Sequence, residues 1–507
     1  MTSILHSVTR YYAQQPVKYL SVRHFLFTLA LTPEKARPRG LCALPLEVII
    51  EIMKELEWRD LLRIRQTCKS LCDASKARPV WLNLFKPCPE RPLFPLQAEG
   101  PLENYSSSRL EYMILRWKRA ERSYAMNGED VDVQGIEIAL DEDQAVVAMH
   151  LVKGGRWLLL VLYNGSIQCC DLEGKNPSPK ALIPHPFDSD NTTAGVHFSF
   201  DMVSTTPTLT FNIALGFRDG LSDDAINFLQ VWQVSVILDE QGNGMDLRTC
   251  LLSSFVQKIG GSVHAIAISG PHLAYAFVPR GQTLPRFIFV VDWSSVNGKM
   301  TQFPQRIAPV EFIPDRLSFL PDHKLLSISF QKFSLLDWRS LEEASISLTS
   351  ALAPVVFLWT HRMNYWRKSF FPHFCADSTR FVFESERFLH GLIIEHATAE
   401  GNPVKEPYIV ELMEYPEEWL QTTAPRRLLG HNYGFGLAGH PGLTILRYSW
   451  PGEQHIEFPS ISFPGTSVKR FDVRNWQGAP PCVDLGTGRV VFVGSFRGRL
   501  LVLDITC

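Results

Sequence analysis

Several features that would mark a specialised class of protein are scarce or absent in this sequence of 507 residues. The ten cysteines are scattered and form no CxxC pair, which predicts reduced thiols in a cytosolic or nuclear protein. No run of about 18 apolar residues occurs, so the sequence predicts no membrane-spanning helix. The formal net charge is −2, and this balance gives no general attraction to nucleic acid or to an acidic membrane surface.

Motifs that carry chemistry are also missing. The sequence contains no Walker A, HExxH or GxSxG pattern. A GxGxxG begins at Gly434, but a His-Pro-Gly turn and a strand-like segment follow it, whereas a dinucleotide site needs a helix there. His361 and His373 have no further ligands at metal-binding spacing, which favours loop histidines. We therefore predict no catalytic residue, no cofactor site and no metal site.

What the chain does have is apolar material for large folded domains. Hydrophobic residues make up 45% and charged residues 20% of the composition, which excludes a wholly disordered chain. A length of 507 residues predicts two or three domains. Composition and periodicity divide the chain into a flexible tail at 1–41, a helical segment at 42–85, a proline-rich connector with an amphipathic helix at 86–129, and an all-β region at 130–507.

The first 40 residues are basic, with a single acid, Glu34, and they carry the short apolar patch HFLFTLAL. A transit peptide would share this composition. The patch is short for a secretory core, however, and it lacks a clear cleavage site of small residues. These features favour a poorly ordered tail over a targeting signal.

A helical period is clear at 108–125, where Ser108 and Glu111 predict a capping box at the start of the helix. The basic residues of this segment are expected to form a solvated polar face rather than a nuclear-import or nucleic-acid patch. The apolar residues that share one face of the helix are Leu110, Ile114, Trp117 and Tyr124.

The all-β region contains an internal repeat. The segments GRWLLLVLYNGSIQCCD, which ends at Asp171, and GRVVFVGSFRGRLLVLD, which ends at Asp504, align without a gap. Each starts with Gly-Arg, has a glycine in the turn between two strands and closes on aspartate. Weaker copies bring the recurring strand ends to seven, at spacings of roughly 45 to 62 residues. Such spacings suit units of four strands, and the region is predicted to be a β-propeller of about seven blades.

The repeat makes three structural predictions. Asn164-Gly165 predicts a two-residue type I′ hairpin turn. The run LLLVL predicts a strand buried on both faces, as expected where sheets stack around an axis. The strand at 131–140 is expected to complete the blade begun by the C-terminal residues and so close the ring. The repeats resemble degenerate WD-type units more than kelch units, although Asp-Trp stands where a WD repeat has Trp-Asp.

The helical segment carries more apolar surface than it can bury by itself. Pro45 suits the first turn of one helix, Asp60 the N-cap of a second and Pro79 the start of a third. About 40 residues seldom bury enough surface to fold alone, so these helices must be covered by the all-β region or by another chain. The apolar residues of the first helix recur at helical spacing, at Val48, Ile49, Ile52 and Leu56.

About ten positions of this segment resemble an F-box in order and spacing. The resemblance implies a protein that docks on the Skp-type adaptor of a cullin-RING ubiquitin ligase and presents substrates held by its C-terminal domain. The residues that carry it are Leu44, Pro45, Glu47, Ile52, Leu56, Asp60, Leu61, Leu62, Cys68, Lys69, Leu71 and Trp81.

The resemblance also implies roles for individual residues. Cys68 and Trp81 are expected to pack inside the box. The residues expected to face the adaptor, or to support that face, are Leu44, Pro45, Glu47, Val48, Ile52, Leu56, Leu61, Leu62 and Leu71.

In the all-β region, the segment HRMNYWRKSFFPHF is the richest in residue types that anchor interfaces, although blade-core aromatics would explain them equally well. The candidates for substrate binding in it are Arg362, Tyr365, Trp366, Arg367 and Phe370.

The sequence is compatible with two functions from different classes. The first is a non-catalytic substrate receptor of a ubiquitin ligase, with a Skp-type adaptor and a protein substrate as partners, and without nucleic acid or membrane. The second is a propeller scaffold or ligand-binding protein whose F-box-like helices serve assembly rather than degradation. An enzyme would need acid, base or metal groups that converge at a blade mouth.

Overall fold

The structure is a computed structural model in which the chain divides into two compact units, Met1–Lys86 with Ser106–Leu115, and Pro87–Tyr105 with Arg116–Cys507. It describes residues 41, 44–85, 98–125, 132–141, 145–185, 193–219, 226–257, 260–280, 285–296, 303–344, 355–362, 372–375, 377–385, 387–397, 405–416, 422–438, 443–451, 460–463, 481–493 and 498–506.

Among the described residues, four short α-helices and one longer α-helix precede the strands. They are α1 (Leu46–Lys54), α2 (Trp58–Arg65), α3 (Lys69–Ser75), α4 (Arg78–Phe85) and α5 (Ser107–Ala125). The second of the three helices predicted before residue 86 is divided into α2 and α3, because Cys68 has an extended backbone and interrupts it. Among the described helices, none is both long enough and apolar enough to cross a membrane.

The starts of the short helices differ slightly from prediction. Pro45 is the N-cap of α1, with a φ of −54°, rather than a residue of its first turn. Asp60 is not a cap, because α2 begins directly after Glu57; instead, Asp60 accepts a hydrogen bond from Arg63 at 2.9 Å. Pro79 is the second residue of α4, where its missing N–H would have had no partner within the helix.

The predicted capping box of α5 at Ser108 and Glu111 is wrong. Ser106 provides the cap, since its Oγ accepts a hydrogen bond from the backbone N–H of Arg109 at 3.2 Å. Glu111 binds Arg65 instead. The predicted apolar face is confirmed, because all four of its residues are at most 8% exposed: Leu110, Ile114, Trp117 and Tyr124.

One face of each short helix packs into the core of the first unit. Two hydrogen bonds join the helices around it: Trp81 Nε1 donates to the Ser75 carbonyl at 2.8 Å, and Asn83 Nδ2 donates to the Lys54 carbonyl at 2.9 Å. The core residues of α1 to α4 are all 6% exposed or less: Ile49, Met53, Leu61, Leu71, Ala74, Val80, Trp81 and Phe85.

The described strands form seven antiparallel sheets. The first sheet contains β2 (Val146–Leu151), β3 (Trp157–Leu162), β4 (Ile167–Asp171) and β5 (Lys180–Ile183). The second contains β6 (Thr193–Met202), β7 (Thr210–Asp219), β8 (Asn227–Leu238) and β9 (Gly244–Gln257). The third contains β10 (Gly261–Ser269), β11 (His272–Pro279), β12 (Arg286–Asp292), β13 (Gln305–Val310) and the short β17 (Glu343–Ala344).

The remaining sheets follow the same order along the chain. The fourth contains β14 (Pro314–Leu320), β15 (Lys324–Ser329), β16 (Lys332–Asp337) and β18 (Trp359–Arg362). The fifth contains β19 (His373–Phe374), β20 (Ser378–Ser385), β21 (Phe388–Glu395) and β22 (Tyr408–Glu414). The sixth contains β23 (Thr422–Leu429), β24 (Tyr433–Ala438), β25 (Leu443–Arg447) and β26 (Ser460–Phe463). The seventh contains β27 (Cys482–Asp484), β28 (Arg489–Val493), β29 (Arg499–Thr506) and β1 (Asp132–Ala139).

Apolar clusters between neighbouring sheets close these sheets into a ring. Leu159 and Val161 of β3 pack with the second sheet, while Leu158 and Leu160 pack with the seventh. Five further clusters join the second sheet to the third and so on to the seventh. Every residue of β3 is buried, which confirms the strand predicted to be covered on both faces. The fold is therefore a seven-bladed β-propeller, as the sequence predicted.

The ring is closed by pairing the first strand of the propeller with its last. β1 runs antiparallel to β29, from Asp132 opposite Thr506 to Ala139 opposite Arg499. This pairing confirms the closure predicted for the strand at 131–140. Because β1 covers the outer edge of β29, the backbone groups of β29 find partners that the C-terminal strands alone do not supply.

The repeat seen in the sequence corresponds to an ion pair within the blade. Arg156 Nε and Nη2 donate to the two carboxylate oxygens of Asp171 at 2.9 and 2.7 Å, and Arg489 donates to Asp504 in the same way at 2.6 and 2.7 Å. Each pair joins the start of the second strand to the end of the third. Such bidentate pairs are strong and directional, which accounts for the equal spacing of Arg and Asp in the two copies.

The turn between β3 and β4 is not the predicted type I′ turn. Gly165 has a φ of 85°, but Asn164 does not have a positive φ. Leu162 N–H donates to the Ser166 carbonyl at 3.0 Å, so the loop has three residues with glycine in the left-handed position. Asn164 contributes through its side chain, which accepts hydrogen bonds from Ser166 N and Oγ at 3.0 and 2.7 Å.

The Asp-Trp pairs have a structural role at the end of the third strand of a blade. The side chain of Asp292 accepts a hydrogen bond from the backbone N–H of Ser294 at 3.1 Å, and Asp337 accepts one from Arg339 at 2.9 Å. In both cases the aspartate caps a 3₁₀ turn that begins with the tryptophan. Asp therefore precedes Trp because the aspartate side chain caps the turn that the tryptophan begins.

The connector is attached to the propeller by a buried carboxylate that the sequence did not reveal. Glu99 is 7% exposed and accepts hydrogen bonds from Trp157 Nε1 at 2.7 Å, from Arg156 Nη1 at 3.1 Å and from the N–H of Gly244 at 3.1 Å. These donors belong to the first and second blades. A buried polar group with several hydrogen-bond partners is costly to displace, so this contact fixes the described part of the connector on the propeller.

Candidate functional site

Helix α1 has a second apolar face beside the one that enters the core. Ile49 and Met53 are 2% and 1% exposed, whereas Val48 and Ile52 are only half-buried. The second face recurs at helical spacing and remains accessible to a partner. We call it the α1 face, and its members are Pro45, Val48, Ile52 and Leu56.

The other residues predicted to bind an adaptor divide into two groups. Leu44 and Leu62 are half-buried, and Glu47 is exposed. Leu61 and Leu71 are 0% and 6% exposed and lie in the core. These two leucines therefore do not face a partner in this structure, and their place is in the support beneath the accessible residues.

The site prediction omitted one prominent residue, Leu46. Its side chain is 53% exposed, the highest value for a large apolar residue of the first unit's described helices. Ile50 lies four residues later and is half-buried, so the two share one side of α1 next to the α1 face. The helical spacing of Leu46 and Ile50 was the signal that could have identified Leu46.

A single arginine holds the helices behind the α1 face. Arg65 donates to Glu111 through both terminal nitrogens, at 2.5 and 3.1 Å, and to Ser75 Oγ at 2.9 Å. Its guanidinium also lies over the ring of Trp81, 5.5 Å from the centroid. Trp81 is 0% exposed, and Cys68 is half-buried at the N-cap of α3. Arg65 thus connects α2 with α3, α4 and α5, a role that the sequence pattern did not indicate.

The surroundings of the α1 face suit binding rather than chemistry. Glu47, Glu51 and Glu55 of the same helical segment are exposed beside it. Lys54 Nζ pairs with Glu51 at 2.6 Å. The carboxylates of Glu47 and Glu55, four residues before and after Glu51, also lie on the rim. An apolar centre with a charged rim is the usual composition of a protein interface.

On the propeller, the described residues include one of the five candidates for substrate binding. Arg362 ends β18, and its side chain is 75% exposed with Nη2 at 3.5 Å from Glu311 Oε1. The other four candidates lie outside the described residues: Tyr365, Trp366, Arg367 and Phe370.

The two histidines near this segment lie on strands, His361 on β18 and His373 on β19, and not in the predicted loops. His361 stacks on Trp359 with ring centroids 5.8 Å apart. Burial and the neighbouring His431 lower the pKa of His373 to about 3, so this imidazole is neutral at physiological pH. Within the described ranges, no three His, Cys, Asp or Glu side chains are gathered closely enough to hold a metal ion.

A cavity of about 380 Å³ opens on the third and fourth blades. Arg306 in its wall donates to the carbonyls of Arg339 and Leu341 at 2.7 and 2.8 Å and pairs with Glu343 at 2.7 Å. The guanidinium therefore joins β13 to the segment after β16. This arrangement supports the blade.

Comparison with known proteins identifies the helical segment. Residues 41–87 match the F-box-like family. This part of the chain is an F-box-like domain. The α1 face thus belongs to an F-box-like domain, and the chain joins this domain to a seven-bladed propeller. No curated protein matches the chain.

Solved structures resemble the propeller at low identity. The β-propeller domain of Cps50 (Swd1) from Myceliophteria thermophila is 10% identical, and the match covers 74% of this chain and 100% of that chain with a TM-score of 0.42. The WD40 domain of SCAP from fission yeast is 11% identical, with coverage of 71% and 84% and a TM-score of 0.36. The RRP9 WD40 repeats are 7% identical, with coverage of 75% and 99% and a TM-score of 0.34.

Proposed function

We propose that this chain is a non-catalytic substrate receptor of a cullin-RING ubiquitin ligase. In this function the F-box-like domain docks on a Skp-type adaptor, and the propeller holds a protein for ubiquitination. The contribution to catalysis is proximity, because the bound substrate is brought near the conjugating enzyme while the bond chemistry takes place elsewhere. Such a receptor works in the cytoplasm or the nucleus, without nucleic acid or membrane as a partner.

The observation that carries this proposal is the accessible α1 face within the F-box-like domain. Val48, Ile52 and Leu56 remain partly exposed although Ile49 and Met53 on the same helix are buried in the core. An interface of standard size buries about 1,600 Å², and a few large apolar anchors at its centre supply most of the binding energy. The α1 face has anchors of this kind.

The test is co-purification of the adaptor with a double variant, Ile52→Asp with Leu56→Asp. Two carboxylates placed on the α1 face would have to be desolvated on docking, so we expect at least a hundredfold loss of adaptor binding, about 3 kcal/mol or more. The adaptor is measured in pull-downs from cells and by titration of the purified full chain. Undiminished binding by the double variant would contradict docking through this face.

A matched control makes the same chemical change elsewhere. Met245→Asp with Leu251→Asp replaces two exposed apolar residues of β9, which are 63% and 43% exposed. We expect this variant to retain the adaptor. Circular dichroism of both variants checks that the propeller stays folded.

The alternative function is a scaffold or ligand-binding protein whose F-box-like helices serve assembly. Co-purification separates the two: cullin together with the adaptor supports the receptor, adaptor without cullin supports assembly, and the absence of both supports a propeller that works by itself. For a receptor, proximity labelling with and without proteasome inhibition would identify the substrate, because a degraded substrate accumulates when degradation stops.

A further inference from the structure

Three cations of two neighbouring blades contact one residue, Glu311, two of them at its carboxylate and one at its backbone carbonyl. Glu311 follows β13; its Oε2 lies 3.5 Å from Lys332 Nζ, and its Oε1 lies 3.5 Å from Arg362 Nη2. Its backbone carbonyl accepts a hydrogen bond from Arg286 Nη1 at 2.5 Å. Lys332 and Arg362 are cross-strand neighbours in the fourth blade, so the sheet holds them side by side. We call these four residues the Glu311 patch.

The carboxylate of Glu311 is a weak counter-ion for this patch. Both of its ion-pair distances exceed the range of a direct hydrogen bond, and the side chains of Glu311 and Arg362 are 54% and 75% exposed. An exposed pair such as Glu311 with Arg362 contributes at most about 1 kcal/mol, whereas Lys332 is 17% exposed. Three cations also outnumber one carboxylate, so the patch retains positive charge that a ligand can use.

Aromatic side chains adjoin the cations. Phe330 lies in the turn before β16 and is 56% exposed. Lys332 Nζ lies over the ring of Phe357, 5.3 Å from its centroid, which holds the lysine stem in place. A ligand that combines negative charge with an apolar residue would therefore meet complementary groups on both counts.

The patch lies at the end of the blades opposite to the second half of α5. Arg286 and Lys332 begin the third strands of their blades and thus adjoin turns between second and third strands. Gly488, by contrast, lies in a turn between first and second strands, where a Cβ would come within 3.0 Å of Ala120 of α5. These turns alternate between the two ends of an antiparallel sheet, so the second half of α5 does not cover the patch.

We propose that the Glu311 patch binds an acidic segment of a protein, whose carboxylates displace Glu311 as the counter-charge. The assignment rests on the proposed receptor function and names the chemistry of its ligand. Arginine suits this role because its planar fork can hold a carboxylate through two hydrogen bonds. Nucleic acid is disfavoured, because three cations on a chain with a formal net charge of −2 offer few phosphate contacts.

The experiment measures binding of the full chain to a fluorescein-labelled peptide of alternating glutamate and leucine by fluorescence anisotropy. Glu311→Gln keeps the size of the side chain but removes the competing charge, so we expect the Kd to fall about threefold to fivefold. Lys332→Glu with Arg362→Glu reverses the patch, and we expect the Kd to rise more than about tenfold. An unchanged Kd in both variants would overturn the assignment.

Matched controls separate the patch from a general charge effect. Glu395→Gln removes a carboxylate that pairs with Lys405 at 3.1 Å on the fifth blade, and we expect no change in Kd. Equal tightening by Glu395→Gln and Glu311→Gln would contradict a local site. A glutamine–leucine peptide should not bind, and binding by a phosphoserine–leucine peptide alone would show that the patch selects phosphate and overturn the carboxylate assignment.

The two proposals fail in different ways. If the wild-type chain did not bind the acidic peptide while the adaptor and cullin still co-purified with it, the ligand class would be refuted and the receptor function would remain intact. Intact peptide binding at the patch, without adaptor or cullin, would refute the receptor function and keep the patch as the ligand site of a scaffold.

Discussion

At the scale of single residues, two arginines explain why the repeat in this chain has kept its spacing. Arg156 and Arg489 each fix the third strand of a blade through a bidentate contact to an aspartate. Arg489 also donates to the carbonyl of Gly155 at 2.6 Å, and its side chain is 5% exposed. It therefore connects the seventh blade with the first.

Arg489→Ala should lower the free energy of unfolding of the propeller by about 3 kcal/mol. The reason is that, among the described residues, Asp504 would keep Arg116, at 3.8 Å, as its remaining ion-pair partner, and that the Gly155 carbonyl would lose the hydrogen bond from Arg489. Urea denaturation followed by circular dichroism measures the change. Arg499→Ala is the control, because its contact to Glu137 is between side chains that are 67% and 39% exposed, and a loss above about 0.5 kcal/mol is not expected there. Equal losses in the two variants would contradict the account.

At the scale of elements, α1 shows that one short helix serves two interfaces. Its core face and its accessible face both consist of apolar residues at helical spacing, so periodicity alone does not distinguish the buried face from the accessible one. The packing of α3 and α4 against α1 selects Ile49 and Met53 for the interior. The α1 face consists of the apolar residues that this packing leaves outside the core.

Ile49 and Ile52 form a matched pair for testing this division. Ile49→Ala should lower the free energy of unfolding of the F-box-like domain by about 3 kcal/mol, because it empties a buried position. Ile52→Ala should cost about 1 kcal/mol or less in stability and weaken adaptor binding more strongly than Ile49→Ala does. Thermal unfolding and adaptor titration give the two readouts. The reverse order of the two stability changes would show that the faces have been assigned wrongly.

At the scale of the whole propeller, the ring depends on residues that are far apart in the sequence. β1 supplies one strand of the seventh blade, and the other three strands come from the C-terminal end. Ile138 of β1 lies in the cluster that joins the seventh blade to the first. The long separation of the paired strands makes this pairing costly in chain entropy, because a long loop must be closed to form it.

Ile138→Asp should open this closure, with a loss of more than about 3 kcal/mol, because an unpaired charge would enter the cluster. Ile138 is 3% exposed, whereas Ile136 on the same strand is 43% exposed and provides the control Ile136→Asp, with a change within about 0.5 kcal/mol. Limited proteolysis of the native chain and urea denaturation report the difference. Full protease resistance of the Ile138→Asp variant would show that β1 is dispensable for closure.

Much of this architecture could be predicted from the sequence because it depends on local patterns. The buried strand Trp157–Leu162 and the apolar face of α5 follow from periodicity, which a strand or helix expresses over a few residues. Other details could not be predicted because they depend on distant partners. Glu111 binds Arg65, which lies 46 residues away in the sequence, and Glu99 accepts a hydrogen bond from Trp157, which lies 58 residues away.

The sequence by itself determined the classes of structure: the F-box-like spacing, the repeat that implied about seven blades and the strand that closes the ring. The tertiary structure decided which apolar residues are covered. It placed Leu61 and Leu71 inside, left Ile52 and Leu56 partly exposed, and brought Arg286, Lys332 and Arg362 around Glu311. The physical reason is that periodicity is a property of neighbours along the chain, whereas burial and charge pairing depend on groups that only folding brings together.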